Sequence, residues 1–283
     1  MNPQHMPLFC DIELAERIER AEAQLITKGS EAAHRRKGDG TGFLKPMSGG
    51  VAAFAEDDSP LNKVAGIGFG GVPDAAALDE IEHAFADRGA PVLVELAHLA
   101  DPAIGALLTE RGYRLTSYEN VLGLPLAGEY ARVEPDGIDV RPSGDEEFER
   151  WLEVVVDGFA HPDTQGVPSH EEFPYEAVAA AVRDLVSAAG MRRYSALRDG
   201  TVVGGASFRT AEGVAQLTGA ATAPGHRRRG VQTALLTARL ADAAASGCDI
   251  AVITTQPGSK SQENAQRQGF HFLYTRAVLM KQS

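Results

Sequence analysis

The sequence predicts an α/β protein of two similar parts, and three observations carry that expectation. Apolar runs with strand character alternate with helix-period segments along the whole length, a pattern that requires helices layered on a sheet with crossover connections. Several landmarks recur in the same order in the two halves. GGVAAFA parallels GGASFRT, VLVEL parallels IAVIT, and RGYRLTSYENVLGL parallels RQGFHFLYTRAVLM, with Gly112, Tyr113, Val121 and Leu122 matching Gly269, Phe270, Val278 and Leu279. Between the halves, LAGEYARVEPDG has glycine, proline and charge but no sustained period. It places a linker at 129–137, between domains at 1–128 and 138–283.

Composition narrows the class. The 283 residues are 43% hydrophobic and 23% charged, as in a soluble globular protein. A net charge of -12 argues against a broad nucleic-acid grip, without forbidding one local basic pocket. Cys10 and Cys248 are too few for a disulfide framework and lack metal-ligand spacing, so no metal is expected. MNPQHMPLFCDIELAER is not patterned as a secretory signal, and no apolar run nears the roughly 20 residues of a membrane span. A cytoplasmic protein acting on neither membrane nor nucleic acid is the expectation.

In order, ELAERIERAEAQLI predicts an amphipathic helix from Glu13, and the polar SEAAHRRKGDGTG reads as a solvated loop. GGVAAFA and NKVAGIGFGG predict strands, AALDEIEHAFADRG a helix and PVLVELAHL a buried strand. A short helix after Asp101 and the strand YRLTSYENVLGLPL close the first half. The second opens with strand IDVRP and helix DEEFERWLEVVVDGF, where Trp151 shares helical spacing with Leu152, Val155 and Phe159 and reads as core. Loop AHPDTQGVPSHEEFP leads to helix EAVAAAVRDLVSAAG, then a hairpin turning at Asp199-Gly200 and strand GVAQLTGAATA. A helix to Gly247, strand IAVITTQ, a short helix and a last strand follow. Cys248 reads as a small buried hydrophobe.

The junction GHRRRGVQTALL concentrates cationic charge in an acidic chain. A strand ending near Thr222, a Pro-Gly turn and a helix from about Val231 leave unpaired N–H groups aimed at one spot, reinforced by the helix dipole. Such an end accepts phosphate. Gly230 lets backbone approach a bulky anion, and Arg227, Arg228 and Arg229 add charge and paired donors.

PGHRRRGVQTALL resembles the acetyl-CoA-binding motif of the GNAT superfamily of N-acetyltransferases: Arg or Gln, two residues, Gly, one residue, then Gly or Ala. Arg227 and Gly230 match; Gln232 stands where Gly or Ala is usual. GSKSQENAQRQGF resembles the family's later motif, a short helix ending in Gly-Phe. The resemblance covers 138–281 well and the first half in outline. It implies two GNAT-like domains, each a mixed, mostly antiparallel sheet flanked by helices, with a degenerate first copy, and acetyl-CoA as co-substrate. It also implies that Ala221, Thr222 and Ala223 bond the pantetheine where two strands splay apart. The amides of Arg228, Arg229, Gly230, Val231, Gln232, Thr233 and Ala234 would hold the pyrophosphate. Ser261 and Asn264 face the same splay; a helix N-cap and a surface amide are the plainer readings of these two. In the first half the matching stretch, GGVPDAAALDE, is shorter and acidic, and Asp74, Asp79 and Glu80 would repel a pyrophosphate.

The family's proton carriers are missing. Its strand glutamate falls at Gln216 and its helix tyrosine at Ala265. Tyr274 is a candidate acid, against an ordinary half-buried strand tyrosine. His161 with Asp163, Glu212 and Asp157 are candidate bases, against solvated surface groups. His161 and His170 have no third ligand at supporting spacing, hence no metal site. The leading function is acetyl transfer to a small-molecule or protein amine acceptor by direct attack in a ternary complex; a homodimer is compatible with it. A catalytically silent acyl-CoA-binding module is the alternative. A third, another nucleotide-phosphate binder, lacks the P-loop and dinucleotide glycine patterns.

Overall fold

Asp11 starts the first helix, its carboxylate accepting the N–H of Leu14 at 2.9 Å. In the computed structural model, which describes residues 8–128, 130–161, 167 and 173–282, that helix is α1, Ile12–Lys37, ended by Gly38 in the left-handed conformation. It runs through most of the stretch read as a solvated loop. The polar run Lys28–Ser30 hides the period, but packing restores it. Gly29 lies so close to Leu185 that a Cβ there would come within 2.6 Å of it. Arg36 bonds Glu56 and Asp184, and the buried residues continue to Ala33.

The remaining elements are β1 (Phe43–Met47), β2 (Gly50–Phe54), β3 (Lys63–Ala65), α2 (Ala75–Ala86), β4 (Val92–Ala97), α3 (Ala103–Glu110) and β5 (Arg114–Pro125), then β6 (Asp139–Pro142), α4 (Phe148–Ala160), α5 (Tyr175–Ala188), β7 (Arg192–Arg198), β8 (Thr201–Ala211), β9 (Val214–Thr222), α6 (Val231–Ala245), β10 (Ile250–Thr255), α7 (Lys260–Arg267) and β11 (His271–Lys281). β1 is an edge strand the sequence reading passed over, and its Pro46 is tolerated there because an edge has one unpaired side. β3 is three residues of the longer run NKVAGIGFGG. Gly66 and Gly68, at φ 72° and 100°, turn the chain out of the strand.

The strands form one sheet in the order β1-β2-β3-β4-β11-β5-β10-β9-β8-β7-β6. Only β3/β4 and β9/β10 are parallel; the other pairings are antiparallel. β11, from the second half of the sequence, pairs only with β4 and β5, and β5 pairs only with β10 and β11. Each half thus gives its last strand to the other, so the sheet crosses the boundary expected at 129–137. The landmarks Gly112-Tyr113 and Gly269-Phe270 precede these two strands in the same geometry. Each glycine has positive φ, and the aromatic N–H returns to the preceding helix, at Leu108 and Ala265.

Separate apolar clusters flank the two ends of the sheet, one around Phe54, Ile81, Phe85 and Ile104, the other around Tyr194, Phe208, Leu235 and Phe270. Trp151 is fully buried, its indole N–H donating to the Tyr194 carbonyl, and Cys248 is buried. Among the described residues no helix is long and apolar enough to cross a membrane.

Candidate functional site

β9 and β10 are paired at three positions only, Val214 with Ile250, Ala215 with Ala251 and Gln216 with Val252. Beyond Gln216, β9 runs on to Thr222 and β10 to Thr255 without pairing to each other. A register shift against β8, between Gly205 and Ser207, accompanies the opening; Gly219 sits in it at φ 56°. The result is a V-shaped opening walled by strand backbone that no neighbouring strand satisfies. Ala221 and Thr222 line its end, buried, and the Thr222 hydroxyl has no partner among the described residues. Ala223 offers no N–H there, because its amide donates to the Val203 carbonyl at 2.9 Å.

After a short turn at Pro224–His226 the chain enters α6 through two left-handed residues, Arg228 at φ 63° and Gly230 at φ 82°. Gly230 is the N-cap, and no side chain caps the helix, so its first-turn N–H groups face outward. The helical ladder starts at Ala234, whose N–H goes to the Gly230 carbonyl at 3.0 Å. The open amides therefore end at Thr233, and Ala234 contributes none. The three arginines divide by role. Arg227 folds back, donating to the Thr222 carbonyl at 3.4 Å and to the carbonyl of His161. Arg228 and Arg229 are exposed and form no ion pair among the described residues.

The equivalent helix of the first half is closed. Asp74 caps α2, accepting the N–H of Ala77 at 2.7 Å. Asp79 pairs with Arg111 and Glu80 with Lys45. Where α6 leaves its end open to an anion, α2 carries one of its own.

At the far side of the opening, Ser259 caps α7 and accepts the Gln262 N–H at 3.2 Å. Ser261 is therefore not the cap; it is exposed, and Asn264 is half-buried. Gln262 makes the local contacts, accepting from Gly258 N–H at 2.8 Å and from Asn120 at 3.4 Å. Ala265 is packed in the core with Phe270 and has no group that carries a proton.

The candidate acid and bases are scattered. Tyr274 is 2% exposed, and its hydroxyl donates to Glu19 at 2.6 Å. Burial, then the Glu19 charge, hold its pKa well above the usual phenol value. It is fully rather than half buried. His161 follows α4 with 66% of its side chain exposed, Nδ1 lying 3.0 Å from Asp157. Glu212 ties to Arg20 and Gln24 of α1. Asp163 and His170 lie outside the described residues. Among those residues no His, Cys, Asp and Glu group could hold a metal.

Gln216, at the base of the opening, is 5% exposed. Its amide nitrogen donates to Glu22 of α1 at 3.1 Å, and its amide oxygen has no partner among the described residues. Glu22 belongs to a largely buried polar cluster between α1 and the sheet, in which Glu22 and Glu119 keep 18% and 22% of their side chains exposed. Arg276 on β11 is its centre, meeting Glu19 at 2.7 Å, Glu119 at 3.4 Å, Glu22 at 3.8 Å and Glu95 at 3.9 Å. Lys63 pairs with Glu95. Burial, then the neighbouring Glu95 charge, push Glu119 up to about 8 against the pull of Arg276. Burial also raises Glu19, against Arg276, whereas at Glu95 Lys63 and Arg276 outweigh burial and hold the carboxyl low. Arg209 on β8, opposite Gln216, is 2% exposed with Nε and Nη1 unpartnered. None of Glu22, Glu119, Arg209 and Arg276 stood out in the sequence. One signal was available: in the repeated landmark, Glu119 and Arg276 occupy equivalent positions with opposite charge, and they face each other across β5 and β11.

Residues 153–270 match the model of the Acetyltransferase (GNAT) family. No curated protein matches the chain. Among solved structures, a GCN5-related N-acetyltransferase from Kribbella flavida is 21% identical with a TM-score of 0.65, covering 92% of this chain and 95% of its own. A tandem GNAT protein from the clavulanic acid biosynthesis pathway is 14% identical with a TM-score of 0.60, at 98% and 97% coverage. A GCN5-related N-acetyltransferase from Sphaerobacter thermophilus is 17% identical with a TM-score of 0.56, at 96% and 94% coverage. The whole chain thus has the mixed, mostly antiparallel fold of GNAT structures, and the sequence match within its second half supports the GNAT acetyltransferase family.

Proposed function

We propose that the protein is an N-acetyltransferase that moves an acetyl group from acetyl-CoA to an amine by direct attack in a ternary complex. The observation that carries this reading is the contrast between the two helix ends, α2 closed by Asp74 and α6 uncapped with Arg228 and Arg229 beside it. The residues present fit acetyl-CoA. Amides from Arg228 to Thr233, with Arg228 and Arg229 unpaired among the described residues, suit its diphosphate. The β9/β10 opening and the unpartnered Thr222 hydroxyl suit an amide-bearing arm. Ser261 and Asn264 flank the same opening from α7. On this reading the second half, 138–283, binds the coenzyme and the first, 1–128, is a degenerate copy.

When bound, acetyl-CoA supplies a thioester carbonyl for attack. The chain's own work is to place the acceptor amine against it, polarise the carbonyl with backbone N–H groups of the parted strand, and take up the amine's proton. Arg227 fastens the strand end to the end of α4, holding the opening's shape. Tyr274 and His161 are the acid and base candidates the resemblance leaves. Tyr274, committed to Glu19, suits positioning better than proton transfer. The expected acceptor is a small-molecule or protein amine, and the expected compartment is the cytoplasm.

Calorimetric titration with acetyl-CoA tests the assignment. Micromolar binding that Arg229→Glu weakens supports it, and binding unchanged in that variant ends it. Release of free thiol with polyamines, amino sugars, amino acids or peptides then separates an enzyme from a silent binder.

A further inference from the structure

We propose that Glu119, contributed by the first half, takes the proton from the acceptor's ammonium in the second half's active site. The inference rests on the acetyl-transfer reading above and names the group that Gln216 and Ala265 cannot supply.

Strand register locates Glu119. Asn120 pairs with Thr255, the last residue of β10, so Glu119 is the next residue of β5, just past the end of that strand. Gln216 is the last residue of β9 still paired to β10. Gln216 thus lies at the apex of the parting, on one edge of β10, and Glu119 lies beside the tip of β10 on its other edge. Both turn to the face covered by α1, Gln216 reaching Glu22 directly and Glu119 reaching it through Arg276.

Charge gives this chamber a demand for a cation. Glu19 and Glu22 of α1, Glu95 of β4 and Glu119 of β5 surround Arg276 of β11, while Lys63 of β3 serves Glu95. Tyr274 adds a hydroxyl toward Glu19, and Arg209 of β8 lies on the Gln216 side. Four carboxylates, Glu19, Glu22, Glu95 and Glu119, face three cations, Arg276, Lys63 and Arg209, and the enclosed negative charge left over takes up a proton or a cation. Without an acceptor, the proton rests on Glu119, raised to about 8 by burial and by Glu95. A second feature points to the same ligand: the buried Gln216 amide oxygen has no donor among the described residues. An ammonium entering on the Gln216 side of the cluster offers that donor and brings positive charge.

The step balances. Glu119 releases its resting proton to solvent as ammonium R–NH3+ enters beside it, and the carboxylate so formed takes one proton from the ammonium, leaving R–NH2. The nitrogen lone pair forms the C–N bond to the thioester carbonyl, and the C–S bond breaks as the tetrahedral intermediate collapses. The second nitrogen proton goes to the departing thiolate, giving CoA-SH, and Glu119 is left holding the ammonium's proton, protonated as it was before the acceptor entered.

The test uses the full chain labelled with carbon-13 at glutamate Cδ and titrated from acidic to alkaline pH, with ethylammonium as the probe. One glutamate resonance is expected to titrate near 8, to vanish in Glu119→Gln, and to move to lower pH when ethylammonium is added. Thiol release to whichever amine the wild-type chain acetylates is expected to fall by about 10²- to 10⁴-fold in Glu119→Gln. The proposal is overturned if Glu119 titrates in the ordinary carboxylate range, if ethylammonium leaves its midpoint unmoved, or if Glu119→Gln transfers acetyl at the wild-type rate. Acetyl-CoA binding to the unaltered chain is measured alongside. Its absence defeats the acetyl-transfer reading itself, independently of how Glu119 titrates.

Discussion

Replacing Gly230 by alanine and, separately, by aspartate resolves two contributions of one residue. At φ 82° an L side chain is strained, and a Cβ would lie 2.8 Å from Pro135 Cγ and 3.0 Å from its Cβ. The left-handed conformation alone costs about 1–2 kcal/mol, and Pro135 must yield as well. Both costs fall on the folded state whether or not a ligand is present. Gly230→Ala is therefore expected to lower urea-unfolding stability by about 2 kcal/mol. Aspartate adds a carboxylate where the diphosphate would sit, and it cannot cap α6 as Asp74 caps α2, because Asp74 is extended at φ -77°. Like charges about 4 Å apart repel by about 4 kcal/mol at an effective permittivity of about 20, or about 2–4 kcal/mol after ionic screening. Relative to Gly230→Ala, Gly230→Asp should thus bind acetyl-CoA roughly 30- to 1,000-fold more weakly by calorimetry. Equal affinity of the two variants would refute the claim that an anion rests on these amides.

Three other outcomes follow from the buried cluster. Arg276→Met strands several carboxylates at once and is expected to cost about 3–5 kcal/mol in urea unfolding; a loss under about 1 kcal/mol contradicts the pairing. Glu119 has a folded pKa above its unfolded value of 4.5, so the folded chain binds the extra proton, and stability falls as pH rises from that value to about 8. Thermal midpoints of Glu119→Gln should be flatter than wild type across that window; parallel curves would contradict the shift. Tyr274→Phe removes the bond to Glu19 and should lower stability by about 1–2 kcal/mol. If Tyr274 were the acid that serves the leaving thiolate, the same variant would slow thiol release by a hundredfold or more, which the committed hydroxyl argues against.

What the sequence made legible was local. The turn and helix start at Pro224–Val231, the Asp74 cap and the Gly-aromatic landmarks before β5 and β11 depend on residues a few positions apart, and their chemistry acts over that distance. The repeated landmarks likewise announced the paired plan of the sheet. Where local signals conflicted, the reading failed. Helix α1 was cut short because Lys28–Ser30 break its period, and the contacts that keep it helical come from Leu185 and Asp184. Residue type alone also could not divide the arginines, since Arg227 is spent on carbonyls of Thr222 and His161 and its two neighbours are not.

The amino-acid string by itself determined the α/β alternation and the cationic start of α6, because each is written in periodicity or in a few adjacent residues. Tertiary structure alone decided that the last strands trade places, and hence that Glu119 and Arg276 come together 157 positions apart. It also decided that Gln216 meets Glu22, 194 positions away. Side chains so distant in sequence become neighbours only once sheet order and register are set, and those follow from burying whole strand faces rather than from any short stretch of residues.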